Sequence, residues 1–142
     1  MRSLLDVNML IALSDDAQMH FDLARGWLQD NIATGWASCP ITQNGFVRVA
    51  NKRKDQHAAS IPAAVRLLTA WIDQSDHQFW PDDLSLLESG AIDHTRLLGH
   101  NQITDVYLLA LAVKHGGRFV TLDRRVTLAA VRGAGPEHLV VV

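Results

Sequence analysis

Three aspartates stand at the margins of apolar runs: Asp6 in SLLDVNMLIAL, Asp105 in QITDVYLLALAV and Asp123 in FVTLDRR. Each has a local use. Asp6 can cap the helix that begins at Val7, Asp123 can form an Asx-turn before Arg124, and Asp105 can complement the dipole of its own helix. They could also share one neighbourhood. If the runs before Asp6 and Asp123 are parallel strands, their C-terminal ends lie along one sheet edge, where ligand sites form. Asp105 opens a helix, whose start reaches the same edge if the helix follows a long connection rather than a strand. Carboxylates gathered in a desolvated place repel one another and their pKa values rise. A divalent cation relieves that conflict, and hard oxygen donors with open water positions suit magnesium or manganese. Such a centre orients a water, lowers its pKa and stabilises charge on a phosphodiester, with no covalent nucleophile.

Other chemistries find little support. There is no GxxxxGK[ST] loop, no GxGxxG after a strand and no HExxH. The single cysteine, Cys39, excludes an intramolecular disulfide and zinc sites built on several thiolates, and reads as a small core residue. Seven histidines lie scattered without metal-ligand spacing, and none is given a role.

The elements that must position the acids follow from size and patterning. The 142 residues, 48% apolar and 20% charged, fit one soluble globular domain spanning 1–142. The net charge of −2 gives no global reason to expect nucleic-acid binding, so any such binding needs a local basic patch. No apolar run reaches the length of a membrane helix, and the N-terminus lacks the pattern of a signal peptide, so a cytoplasmic protein is expected. Short apolar runs at 3–5, 36–39, 78–80, 118–122 and 139–142 read as strands. Helices are expected at 7–13, 20–31, 40–51, 61–72, 84–98 with a break near Gly90, 103–114 and 126–131. Pro40 suits a first helical turn, Ser60 is an N-cap, and Gly116–Gly117 is a stop. Near-continuous apolar strands separated by helices argue an α/β fold, a central parallel sheet flanked by helices on both faces. The 103–114 helix is apolar nearly all round and should be buried.

Taken together, LLDVNMLIAL, PITQNGFVRV, FWPDDLSLL and HNQITDVYLLALAVKHGGRFVTLDRR resemble the PIN-domain proteins of the VapC-type toxin group across essentially the whole chain. The resemblance implies a Mg2+-dependent endoribonuclease, with Mn2+ as the alternative cation, the toxin of a toxin–antitoxin pair. It implies an RNA substrate, a VapB-type antitoxin that lays a helix or peptide in an apolar groove, and a homodimer. Carried over, Asp6 and Asp105 are the principal metal ligands, Asp123 helps hold the cation or the attacking water, and Asn8 and Thr121 support the site. The family commonly has a glutamate in the helix after the second strand. The matching residue here is Gln43, which keeps a carbonyl oxygen but cannot serve as a general base near neutral pH. Gln43 thus joins the candidate catalytic set and also motivates an alternative, a degenerate PIN module that binds RNA or a partner without cutting.

Arg48, Lys52, Arg53 and Lys54 form a basic run, and Arg124 and Arg125 follow Asp123. Arg48, Arg124 and Arg125 are candidates for RNA contact; a solvated basic face is the simpler reading of the first run. Trp27 and Trp71 fit helical apolar stripes and read as core residues.

Overall fold

The computed structural model describes residues 1–53, 56–88 and 90–142. Lys54 of the basic run lies outside the described residues. Five short strands alternate with helices: β1 (Ser3–Leu5), α1 (Val7–Leu13), α2 (Phe21–Asn31), β2 (Trp36–Ser38), α3 (Pro40–Lys52), α4 (Ile61–Asp73), β3 (His77–Phe79), α5 (Ile103–Lys114), β4 (Arg118–Thr121) and β5 (Leu139–Val141). The sheet order is β3-β2-β1-β4-β5 and every pairing is parallel. The chain walks outward from β1 through β2 to β3, then crosses to β4 on the other side. The order therefore reverses between β1 and β4, and the crevice beyond their C-terminal ends is where such sheets bind ligands.

Register sorts the strand side chains between two cores. Leu4 lies beside Ala37 and Phe119 and faces one side. These pack against α5, whose residues Val106 to Ala112 are all buried. Leu5, Val120 and Trp36 face the other side, where Met9, Leu10, Ala24, Phe46, Ala64 and Leu68 bring in α1, α2, α3 and α4. A strand covered on both faces has no need of alternation, which is why these strands read as continuous apolar runs. Cys39 is fully buried, and Trp27 and Trp71 pack partly buried against the four-helix core. Gly45 lets α3 approach α1, because a Cβ there would sit 2.5 Å from Val7 Cγ2.

Local chemistry sets the element ends. Ser60 accepts from Ala63 N–H at 3.2 Å to start α4. Thr42 Oγ1 accepts the Cys39 N–H at 2.9 Å, and Pro40 follows at the first position of α3. Gly116, with φ of +65°, ends α5.

One expectation fails. The described residues of 84–98 form no α-helix but an extended strap with a 3₁₀ turn at His94–Arg96. Leu84 and Leu86 pack on the core while Leu87 is 87% exposed, a spacing no helical face provides. The strap's backbone is satisfied from outside. Tyr107 Oη donates to Leu84 O at 2.8 Å, Asp93 N–H to Ala130 O at 2.9 Å and Arg132 N–H to Ala91 O at 2.8 Å. Lys114 Nζ also donates to Asp83 O, and His115, stacked on Trp80, bonds Asp83 Oδ1 at 3.0 Å. The short helix expected at 126–131 is a single 3₁₀ turn, Leu128–Ala130. The consequence for the site is direct: the strap spans the sheet and delivers the start of α5 to the β1–β4 edge.

Candidate metal centre

Asp6 is the first residue after β1, in extended conformation, and its N–H donates to Val120 O at 2.9 Å, so its backbone is stitched to β4. Its Oδ1 accepts the Val7 N–H at 2.7 Å and its Oδ2 accepts the Thr121 hydroxyl at 2.6 Å. The helix-capping role is thus real. It fixes the carboxylate rather than removing it, since each oxygen retains lone pairs. Asp6 is only 7% exposed. Burial is the main reason its carboxyl is pushed above the ordinary value, and the Thr121 and Val7 hydrogen bonds oppose the rise.

Thr121, fully buried at the end of β4, is the hub beneath the acids. Its hydroxyl donates to Asp6, and it accepts from Asn8 Nδ2 at 2.9 Å and from Asp123 N–H at 3.0 Å. Asn8 Oδ1 in turn accepts the Leu122 N–H at 3.1 Å. One hydroxyl and one amide thereby tie the end of β1, the first turn of α1 and the turn after β4 into a single frame.

Asp123 makes the expected Asx-turn, accepting Arg125 N–H at 2.8 Å, and its carboxylate is forked by the Arg125 guanidinium at 2.7 to 3.2 Å. That guanidinium lowers the Asp123 pKa. Asp105 lies in the first turn of α5. Its pKa is pushed up to about 6, first by burial and then by the charges of Asp6 and Asp123, with no hydrogen bond among the causes. Asp6, Asn8, Asp105, Asp123 and Arg124 line one open cleft of ≈ 650 Å³ at the C-terminal ends of β1 and β4. Asp105 and Asp123 also face a smaller hollow of ≈ 180 Å³ with Asn101, Gln102 and Arg125.

The donor set is carboxylate and amide oxygen, which fits a hard divalent cation. The mutual repulsion felt at Asp105 is the conflict such a cation would relieve. The cage is not closed, however. Among the described residues no three His, Cys, Asp or Glu side chains are already arranged to hold a metal ion. Asp123 is turned into its pair with Arg125, whose side chain is 75% exposed. A pair that exposed is worth about 0–1 kcal/mol, so its exchange for a cation is cheap.

Gln43, on α3, is bonded to the end of β2. Its Nε2 donates to Ser38 Oγ at 2.9 Å, and Ser38 Oγ bonds His77 Nε2 at 2.8 Å. Gln43 does not line the acid cleft; it faces a groove with Asn44, Arg48, Asn51 and Lys52. Arg53 instead pairs with Asp15 at 3.1 Å. Two residues that sequence reasoning passed over, Met19 and His20, stand on the wall of the acid cleft. Nothing in the local sequence signals this, because the wall is made by the turn between α1 and α2.

Comparison with known proteins agrees with the architecture. The PIN-domain family profile matches residues 3–133. The chain is 48% identical over 139 residues to Ribonuclease VapC44 of Mycobacterium tuberculosis, covering 98% of each chain. It is 41% identical to Ribonuclease VapC38 of the same species, covering 99% of each, and 39% identical to its Ribonuclease VapC39, covering 94% of this chain and 96% of that one.

Proposed function

The chain belongs to the PIN-domain family, among the VapC-type ribonucleases, and from that premise we propose that it is the toxin of a toxin–antitoxin pair, hydrolysing RNA phosphodiesters at Asp6, Asp105 and Asp123. The observation that carries this reading is the meeting of three acids, distant in sequence, on one cleft at the β1–β4 reversal. PIN ribonucleases work with a metal ion. Magnesium, or manganese in its place, is the cation we assign to the three carboxylates, with Asp6 and Asp105 as principal ligands.

When bound, that cation supplies Lewis acidity toward the phosphodiester and makes a water more acidic. The protein's own part is positioning. Thr121 and the Val7 N–H hold both Asp6 oxygens in place, so little reorganisation remains when charge develops. Asn8 fixes the Thr121 hydroxyl and the Leu122 backbone, and through them the level of Asp123. Asp105, without a hydrogen bond among the described residues, is the carboxylate able to adjust to cation and substrate, and a bound cation would hold it ionised. Arg124, on the cleft wall, is placed to meet a backbone phosphate. Arg125 can turn from Asp123 to do the same, and Arg48 with Lys52 offers a second contact at the neighbouring groove. Gln43 stays outside the metal set in this reading. Gln43 brings no carboxylate to the site, so the non-cutting module stands as the alternative reading that the cleavage assay separates from this one.

An antitoxin of the VapB type would lay an apolar segment in the hollow of ≈ 370 Å³ among Leu5, Leu10, Leu13, Phe21, Leu28 and Trp36. The PIN domain is taken to run through β5, which lies beyond the profile match yet pairs with β4 in the same sheet. A homodimer remains part of the proposal. No helix among the described residues is long and apolar enough to cross a membrane, and a cytoplasmic place of action is proposed. The deciding experiment is cleavage of total RNA with magnesium, manganese or chelator: cutting that needs the divalent ion supports the reading, and cutting undiminished by chelator ends it.

A further inference from the structure

The turn between α1 and α2 forms the wall of the acid cleft with Gln18, Met19 and His20. The turn is built rather than loose. Asp15 Oδ1 accepts the Ala17 N–H at 2.9 Å, the Gln18 N–H donates to Asp15 O at 3.0 Å, and the Phe21 N–H donates to Gln18 O at 3.1 Å. Asp15 is itself anchored to Arg53, the residue that follows α3. On this frame Met19 is 90% exposed. His20 occupies the N-cap of α2, yet its side chain makes no capping hydrogen bond. Serine, aspartate or asparagine would stabilise that position better. A bare thioether and an imbalance of capping against the ring therefore stand side by side, facing three carboxylates. Among the described residues neither side chain makes a hydrogen bond or ion pair with the fold, and Arg124 on the same cleft already offers a cation to a phosphate. A flat, uncharged, polarisable group with hydrogen-bonding edges fits both: the thioether and imidazole offer it a surface to lie against, and the ring nitrogens offer it a donor and an acceptor.

We propose that Met19 and His20 are the nucleobase-contact wall of the cleft, holding the base next to the scissile phosphate. The turn is then the element that biases which sequence is cut. The proposal rests on the ribonuclease reading and deepens it. It assigns these residues to binding and selection and leaves the chemistry to the carboxylates.

The test uses the full chain and a pool of single-stranded RNA decamers of randomised sequence in magnesium, with the cut products sequenced. The variants are Met19→Ala, His20→Ser and the double substitution. His20→Ser removes the ring but supplies a better cap, so thermal unfolding should show no loss of fold. Base contacts of this kind contribute about 5- to 100-fold in binding. KM should rise on that scale in the double variant with kcat changed far less, and the base preference beside the cut should flatten. His20→Phe, which keeps a stacking face, should recover part of the KM. An unchanged preference and KM in the double variant would overturn the proposal. Binding of the same pool is measured in parallel by anisotropy in the Asp105→Asn background. If the wild type does not cut at all, the ribonuclease reading fails, and the binding arm still decides the wall: equal affinity with and without Met19 and His20 rejects it.

Discussion

The two ends of the sheet carry charge in opposite states of balance. At the N-terminal ends of the strands, cations are answered on every side. Arg2 bonds Trp36 O, Asp76 O and Asp76 Oδ1 at 2.9 to 3.2 Å. Arg118 bonds Ser3 Oγ at 3.0 Å and Asn31 Oδ1 at 2.9 Å, and lies over the Trp27 ring at 5.2 Å. At the C-terminal ends, three carboxylates share the exposed Arg125, which pairs with Asp123, and at Asp105 burial and repulsion outweigh its pull. The first arrangement closes on itself and serves the fold. The second is incomplete without something positive brought from outside. That difference, more than the presence of charge, separates a structural network from a site.

The comparison breaks most visibly if charge is removed from the incomplete end. Asp6→Asn and Asp105→Asn should each cut RNA cleavage more than about 100-fold while leaving circular dichroism unchanged; near-normal cleavage in both would contradict the assignment. Next in size is the hub beneath the acids. Thr121→Val, close to isosteric, removes the bond to Asp6 and should lower cleavage by about 10- to 100-fold, the scale of outer-shell partners at metal sites. At the balanced end the readout should invert. Arg118→Met removes the donors to the buried Ser3 hydroxyl and to Asn31 Oδ1 and the cation over Trp27, and urea unfolding should show a loss of about 2–3 kcal/mol with kcat unaltered.

The smallest effect is a gain. Because the folded state raises the Asp105 pKa from 3.8 to about 6, ionised Asp105 destabilises the metal-free fold. The penalty is absent below the unfolded value, grows between pH 4 and 6 and is complete above that. Asp105→Asn should therefore stabilise the metal-free protein at pH 7.5 by about 1–2 kcal/mol after allowing for solvent screening, and by nothing at pH 3.5. Equal melting shifts at the two pH values would show that the repulsion is not there.

Much of this was legible in the sequence. Helices 7–13 and 103–114 have the expected bounds, because Asp6 caps the start of the first and Gly116 stops the second. The parallel sheet followed from strands without alternation. Asp6 and Asp123 could be placed on one edge because each directly follows a strand. Asp105 could not be placed from its helix alone. The strap that carries it looked helical from its leucines, and only tertiary partners such as Tyr107 and Ala130 make the extended form stable. Gln43 could be put on α3, but its hydrogen bond to Ser38 Oγ could not be read ahead: a helix turns about 100° per residue, and only the packed sheet shows what each face meets. Met19 and His20 were hidden for a related reason, since a cleft wall exists only once α1 and α2 are packed.

The central claim is that the three carboxylates act together on one divalent ion. The most direct measurement is calorimetric titration of manganese into the full chain at pH 7.5, with Asp6→Asn, Asp105→Asn and Asp123→Asn alongside. One ion bound by the wild type, with affinity reduced at least about tenfold in every variant, is the predicted result. Binding that survives the substitutions unchanged would contradict the account.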